Sequence, residues 1–167
     1  MVAAFARPYL STRNARKAAV FTPSTGKTMT SKFGATAKWQ SWTPYLLSAL
    51  RIITAFCFMQ HGMMKLFAFP KGMGPENSTA VMWTQIWFAG VFEAFGGGLM
   101  LLGLFTRPVA FLLSGEMAVT YFQFHASRGF WPAMNGGEVA VLFCFIWLFI
   151  SAAGGGPLSV DAMLKKK

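Results

Sequence analysis

Four long apolar runs, closely spaced in a chain of 167 residues, limit what this sequence can fold into more than any other feature. They fall at about 44–66, 83–105, 108–125 and 137–153. A helix needs roughly 17–25 apolar residues to cross a bilayer. The first two runs meet that length. The last two sit at its short end and need flanking residues or tilt. As core helices of a water-soluble domain, all four would leave no polar faces to meet solvent. Charged residues make up 12% of the chain, whereas a soluble domain carries about 25%. The expected fold class is an all-α membrane protein, a four-transmembrane-helix bundle. No strand periodicity or internal repeat competes with that reading.

Local signals mark the ends of the runs. Thr43 is placed to cap the first helix and Pro44 suits a first helical position. The third run opens with Pro108 after a tight Thr106-Arg107 turn. The fourth has an unbroken apolar core from Val139 to Ile150 and stops at Gly154-Gly155-Gly156-Pro157. Residues 43–157 therefore form the membrane domain, and 158–167 a basic C-terminal tail.

The first 42 residues differ in kind. They hold Arg7, Arg13, Arg16, Lys17, Lys27, Lys32 and Lys38, with no acidic residue. They read as a flexible basic cytoplasmic arm, although the composition also resembles an organelle transit peptide. The arm lacks the long apolar run of a secretory signal peptide. Thr22-Pro23-Ser24-Thr25-Gly26-Lys27 lacks the first glycine and preceding strand of a P-loop.

The net charge is +10. Its placement points to membrane surfaces and excludes nucleic acid as the partner. With the N-terminus inside, one face carries the arm, Arg107, Lys165, Lys166 and Lys167. The other carries Lys71 and Arg128, with Lys65 at the boundary. This positive-inside bias puts both termini in the cytoplasm, in a bacterial inner membrane. An organelle membrane is the alternative if 1–42 is a transit peptide. Trp83, Trp87, Trp131 and Tyr121 fall near the outer boundary, and Trp39, Trp42 and Tyr45 near the inner one.

The informative residues are the charges within the spans. Arg51, His61 and Lys65 lie in the first, Glu93 in the second, Glu116 in the third, and Glu138 opens the fourth. A charge in hydrocarbon costs several kcal/mol unless paired, hydrated or neutralised. These groups should face one another across a polar interior. Arg51, His61 and Lys65 share an arc of roughly 80° on their helix. Arg51 lies roughly 10 Å and Glu116 roughly 12 Å from the inner ends of their helices, so these two are expected to be neighbours. Glu138 is expected to meet Lys65 or His61, or to close a capping box with Asn135. Glu93 has no evident partner at its depth, which makes it the leading candidate for proton handling, followed by His61 and Glu138. Each also has a purely structural reading: a register-fixing ion pair, a capping carboxylate, a packed imidazole, a neutral glutamate between helices.

Glu116, Thr120 and Gln123 form one polar stripe on the third helix. On the second, Gly90, Ala94 and Gly98 follow at i, i+4 and i+8, with Gly97 beside them, a spacing that lets another helix approach closely. Cys57 and Cys144 lie in apolar runs without a Cys-x-x-Cys spacing. No protein-encoded metal, haem or flavin motif is present.

Several stretches together carry a family resemblance. They are Leu50-Arg51, then His61-Gly62-Met63-Met64-Lys65-Leu66-Phe67, then Gly90-Val91-Phe92-Glu93-Ala94-Phe95-Gly96-Gly97. Gly103-Leu104-Phe105-Thr106-Arg107 and Asn135-Gly136-Gly137-Glu138 complete the set. In this order, over about 46–165, the chain resembles the DoxX family of small membrane proteins. The resemblance implies a four-helix membrane bundle. It also implies a link to oxidoreductases, because the family is related to a membrane subunit of thiosulfate:quinone oxidoreductase. The expectation is a membrane subunit of, or accessory to, a quinone-linked oxidoreductase system, with quinone as the ligand and a membrane redox protein as partner. The alternative is a non-catalytic scaffold or assembly factor, since the wider superfamily includes membrane chaperones and cargo proteins.

Overall fold

The computed structural model describes residues 34–166, and among these every regular element is helical. Residues 1–33, most of the basic arm, lie outside the described residues.

Helix α1 runs from Gly34 to Phe67. It therefore begins before Thr43, and Pro44 lies inside it rather than at its start. Proline removes one helical N–H, and residues 39–46 are exposed, so the freed carbonyl one turn back faces the surroundings. Ala35, Ala37, Lys38 and Gln40 favour helix in the turns before it. Behind the proline, the Ser48 hydroxyl donates to the Pro44 carbonyl at 3.2 Å.

The second run is a single stretch of helix with a fault in it. Helix α2, Gln85–Val91, is capped by the Thr84 hydroxyl, which accepts from the Trp87 N–H at 3.3 Å. It passes through a π-helical turn at Phe92–Gly96 into α3, Gly97–Leu102. Gly103 ends it in the left-handed conformation at φ 71°, which a glycine adopts without strain. Helix α4 spans Thr106–Thr120 and runs into a second π-helical turn at Tyr121–His125. It opens two residues earlier than its proline indicated, with Phe105 as cap. A short α5, Pro132–Asn135, precedes α6, Glu138–Ala153. The chain then turns through Gly154–Gly156 into α7, Val160–Leu164.

Two of these helical stretches are long and apolar enough to cross a membrane: Trp39–Phe67, with 29 residues, and Gln85–Leu102, with 18. Only 28% of the most apolar window of each is buried. The core helices of a soluble protein would be mostly covered. Here large apolar side chains such as Ile53, Phe56, Phe92, Phe95, Phe111 and Phe145 face outward, as lipid contact requires. The interior is built from Phe58, Met100, Leu113, Trp147 and Ile150. Phe58 meets Trp147 edge-on at 5.5 Å between centroids and Phe143 at 5.1 Å, which ties α1 to α6.

The C-terminal stretch 158–166 is more than a tail. Ser159 is buried and caps α7, accepting from the Ala162 N–H at 3.2 Å. The Leu158 N–H donates to Ser48 at 3.2 Å, which binds the segment to α1.

Candidate functional site

The helices line a partly open cavity of about 440 Å³. Its apolar wall includes Phe58, Ile86, Met117, Phe124, Val139 and Phe143, and its polar groups are His61, Lys65, Glu93, Thr120, His125 and Arg128. α1, α2 with its π-helical turn, α4 with its own, and α6 each contribute side chains.

His61 and Lys65 stand on one face of α1, as their spacing requires, and both line the cavity. Glu93 comes from the π-helical turn and is 2% exposed. Lys65 Nζ donates to both of its carboxylate oxygens. This is the one salt bridge among the described residues. Glu93 was expected to lack a partner at its depth. It has one, because the π-helical turn adds a residue to the helical ring and re-aims the side chains that follow.

The close approach behind this pair depends on glycine. A Cβ on Gly62 would lie 2.3 Å from the Ala94 nitrogen and 2.7 Å from the Gly90 carbonyl oxygen. Gly90 leaves room for the Lys65 stem, whose Cβ would stand 2.9 Å away, and Gly97 faces Met59 at 3.0 Å. Gly98 was read as part of the same packing stripe, but nothing lies within 4 Å of its Cβ position. Helix α1 packs along Gly90, Ala94 and Gly97 instead. Gly62, its own contribution to that seam, was visible in the sequence only as one residue of the His61–Phe67 stretch.

The expected Arg51–Glu116 pair does not form. Arg51 is fully buried, but its guanidinium is taken up by backbone carbonyls. It donates to Gly155 at 3.0 Å, to Leu101 at 2.8 Å, to Leu158 at 2.5 Å and to Met100. Met100 and Leu101 are last-turn carbonyls of α3, where the helix dipole concentrates negative charge. Two helix ends thus replace the acidic partner. Glu116 instead accepts from the Thr120 hydroxyl at 3.3 Å, and its other oxygen is buried without a partner. It lies within electrostatic reach of Glu93 and Lys65.

Glu138 is exposed and does not line the cavity. Neither Lys65 nor His61 meets it, and the capping box is absent. Helix α6 is capped by Gly137, while Asn135 closes α5. The Asn135 amide oxygen accepts from the Gly137 N–H at 2.8 Å and its NH₂ donates to Gly129 at 2.6 Å. Tyr121, read as a boundary aromatic, is buried and donates to the Phe130 carbonyl.

Sequence reasoning missed His125. Its Nδ1 lies 3.2 Å from the Asn135 carbonyl, with the tautomer set by that contact, and it borders the cavity. It closes the third apolar run, and no spacing motif singles it out. Gln85 donates to Gln123, linking α2 to the turn after α4. Among the described residues no group of three or more His, Cys, Asp or Glu is placed to share a metal ion.

Outside the spans, Asp161 accepts from the Phe105 N–H at 2.9 Å and the Thr106 N–H at 2.8 Å. Slight burial pushes its carboxyl up. The nearby Thr106 hydroxyl, the N–H groups of Thr106 and Phe105, and Lys165 outweigh that and hold it below the ordinary aspartate value.

The sequence signature of DoxX matches residues 46–126, from α1 to the end of the turn after α4. An uncharacterized protein of Haemophilus influenzae is 42% identical over 131 residues, 77% of this chain and 97% of that one. The chain belongs to the DoxX family. An uncharacterized membrane protein of Mycobacterium tuberculosis is 26% identical over 138 residues, 74% of this chain and 84% of that one. No solved structure matches. This DoxX-family chain is a membrane protein, and α1 and α2–α3 are the described helices long and apolar enough to cross a bilayer.

Proposed function

We propose that this DoxX-family protein is a four-helix transmembrane bundle whose cavity binds the head of a quinone. It serves as a membrane subunit of, or accessory to, a quinone-linked oxidoreductase system. Thr106–His125 reaches roughly 30 Å at 1.5 Å per residue, enough for a third crossing. Helix α6 is shorter, reaches roughly 24 Å, and crosses with its flanking residues. The basic arm, Arg107 and the terminal lysines then share the cytoplasmic face of an inner membrane, with both termini on that side.

The observation that carries the reading is the joining of an apolar chamber to proton-bearing groups. A volume of 440 Å³ is of the size that small ligands occupy. A quinone offers a flat apolar ring and two carbonyl oxygens. When bound, it supplies the redox chemistry, taking two electrons from a partner protein and two protons. Phe58, Phe124 and Phe143 cover the ring. Lys65 Nζ and the His61 imidazole would donate to the carbonyls, and Glu93 would exchange protons with the bound head through Lys65. Purified protein should carry quinone in an organic extract, and a short-chain quinone should quench its tryptophan fluorescence saturably. Glu93→Gln should alter that binding or its pH dependence. Absence of both extracted quinone and saturable quenching overturns the proposal.

A second reading is a non-catalytic scaffold. It draws on Arg51, whose hydrogen bonds all serve to join helix ends. In that case quinone is absent, and deletion of residues 1–33 releases a co-purifying partner while the bundle stays folded.

A further inference from the structure

The outward face of α1 takes no part in the cavity described above. Leu46, Ile53, Gln60 and Phe67 follow one another along it at seven-residue spacing, with Ala49 and Phe56 between them. All six are exposed. At about 100° per residue, Gln60 points directly away from the fully buried Arg51 on the same helix. A seven-residue apolar repeat is the pattern by which one helix packs along another over its whole length. Here a glutamine occupies one of its inner positions.

The depth of that glutamine is what makes it informative. Met59 lies against Gly97 and Gly62 against Ala94, so Gln60 stands level with residues 94–97, well inside the Gln85–Leu102 span. It is roughly 9 Å from the nearer end of that span at 1.5 Å per residue, farther than its side chain can reach toward headgroups. Its amide makes no hydrogen bond among the described residues. A polar group left unpaired in hydrocarbon is costly. Gln85 and Gln123 show within one chain how two glutamine amides satisfy each other, donor to acceptor.

We infer that the outward face of α1 is an interface between two copies of this chain, with the Gln60 amides of the two copies hydrogen-bonded to each other. Two copies inserted in the same direction are related by a two-fold axis along the membrane normal. About that axis each residue of α1 meets its own counterpart at its own depth. A glutamine amide carries both donors and an acceptor, so a second Gln60 is complementary to the first. Ile53, Phe56 and Phe67 pack around the pair and keep acyl chains from it. A polar side chain at a single position of such a seam fixes its register and the number of partners. Because Arg51 and Gly62 hold α1 to its own bundle from the opposite side, pairing leaves the cavity intact and is independent of what the cavity binds.

The test measures self-association of the full chain in phosphatidylcholine vesicles, by energy transfer between donor- and acceptor-labelled copies over a series of protein-to-lipid ratios. The wild type should dimerise. Gln60→Leu breaks no hydrogen bond within the chain, so helical circular dichroism should stay unchanged while the dimerisation constant falls roughly three- to thirtyfold, as loss of interhelical amide bonds does. Gln60→Asn keeps both donor and acceptor and should retain most of the association. With Cys57 and Cys144 replaced by alanine, oxidation should link copies through Ile53→Cys, whose position at the seam brings the two sulfurs within disulfide reach. Phe111→Cys, on the outward face of α4, should not link. A wild type that stays monomeric in the vesicles overturns the inference. So does a dimer equally strong in Gln60→Leu, or one linked through Phe111→Cys and not through Ile53→Cys, which puts another face at the axis.

Discussion

Replacing Gly62 by alanine should destabilise the protein, while the same change at Gly98 should stabilise it. The two glycines lie on apposed stretches of helix and look equivalent in the sequence. At Gly62 the new methyl would meet the Ala94 nitrogen at 2.3 Å, the Gly90 oxygen at 2.7 Å and the Ala94 Cα at 2.8 Å. The closest of these is more than an ångström inside the 3.4 Å at which ordinary contact begins. All three are backbone atoms, so no side chain can swing away. Overpacking of this kind costs up to about 3 kcal/mol, and alanine's helix preference over glycine returns about 1 kcal/mol. The net loss should be about 2 kcal/mol. Helix α1 must also move off the π-helical turn, which strains the Lys65–Glu93 pair one turn away. At Gly98 nothing stands within 4 Å, so only the propensity gain of about 0.5–1 kcal/mol remains. Thermal unfolding of the two purified variants in one detergent, followed by helical circular dichroism, reads both signs. A Gly62→Ala variant as stable as the parent refutes the packing argument, and so does a Gly98→Ala variant that falls with it.

Two further outcomes follow from the charges. Lys65→Met leaves the Glu93 carboxylate buried without its partner, with 3% of that side chain exposed. It should cost about 3–5 kcal/mol, and Lys65→Met with Glu93→Gln should recover most of it. A double variant no better than the single one, by denaturant or thermal midpoint, removes the pair's importance. For Asp161, the folded carboxyl titrates below its ordinary value of 3.8. The unfolded chain therefore binds the proton first, and stability rises with pH through that range. The stabilisation is complete above the ordinary value and is lost as pH falls through the folded one. Amide exchange in α7 should quicken on acidification in the wild type but be already fast and less pH-dependent in Asp161→Asn. Identical profiles refute the role given to the carboxylate.

Arg51 illustrates a general way of housing charge in a lipid-facing fold. A guanidinium offers five donors, and a single carboxylate leaves some of them unsatisfied. The carbonyls at the end of α3 and in the turns after α6 have lost their helical donors. Bringing these groups together engages four of the five donors without a second buried charge. Asp161 does the reverse for the first N–H groups of α4. This end of the protein is thus held by one cation on carbonyls and one anion on amides.

Much of this was readable without coordinates. The apolar runs located the helices to within a few residues, apart from the beginning of α1, where an exposed proline did not mark the start. Lys65, Glu93 and Thr120 gather at one cavity, because a helix can keep such groups in hydrocarbon only by turning them inward, whereas His61 borders the same cavity but is exposed. The amino-acid order by itself determined that the chain is helical, belongs in a membrane, falls in the DoxX family, and has to shelter a particular set of ionisable side chains. Only the tertiary structure decided who shelters whom: Lys65 with Glu93, Arg51 with the ends of two helices, Glu138 with none. Hydropathy is a property of one segment at a time, whereas a pairing depends on the rotation and offset between two. One π-helical turn shifts that rotation by a whole residue, and nothing in the apolar pattern of 83–105 announces it.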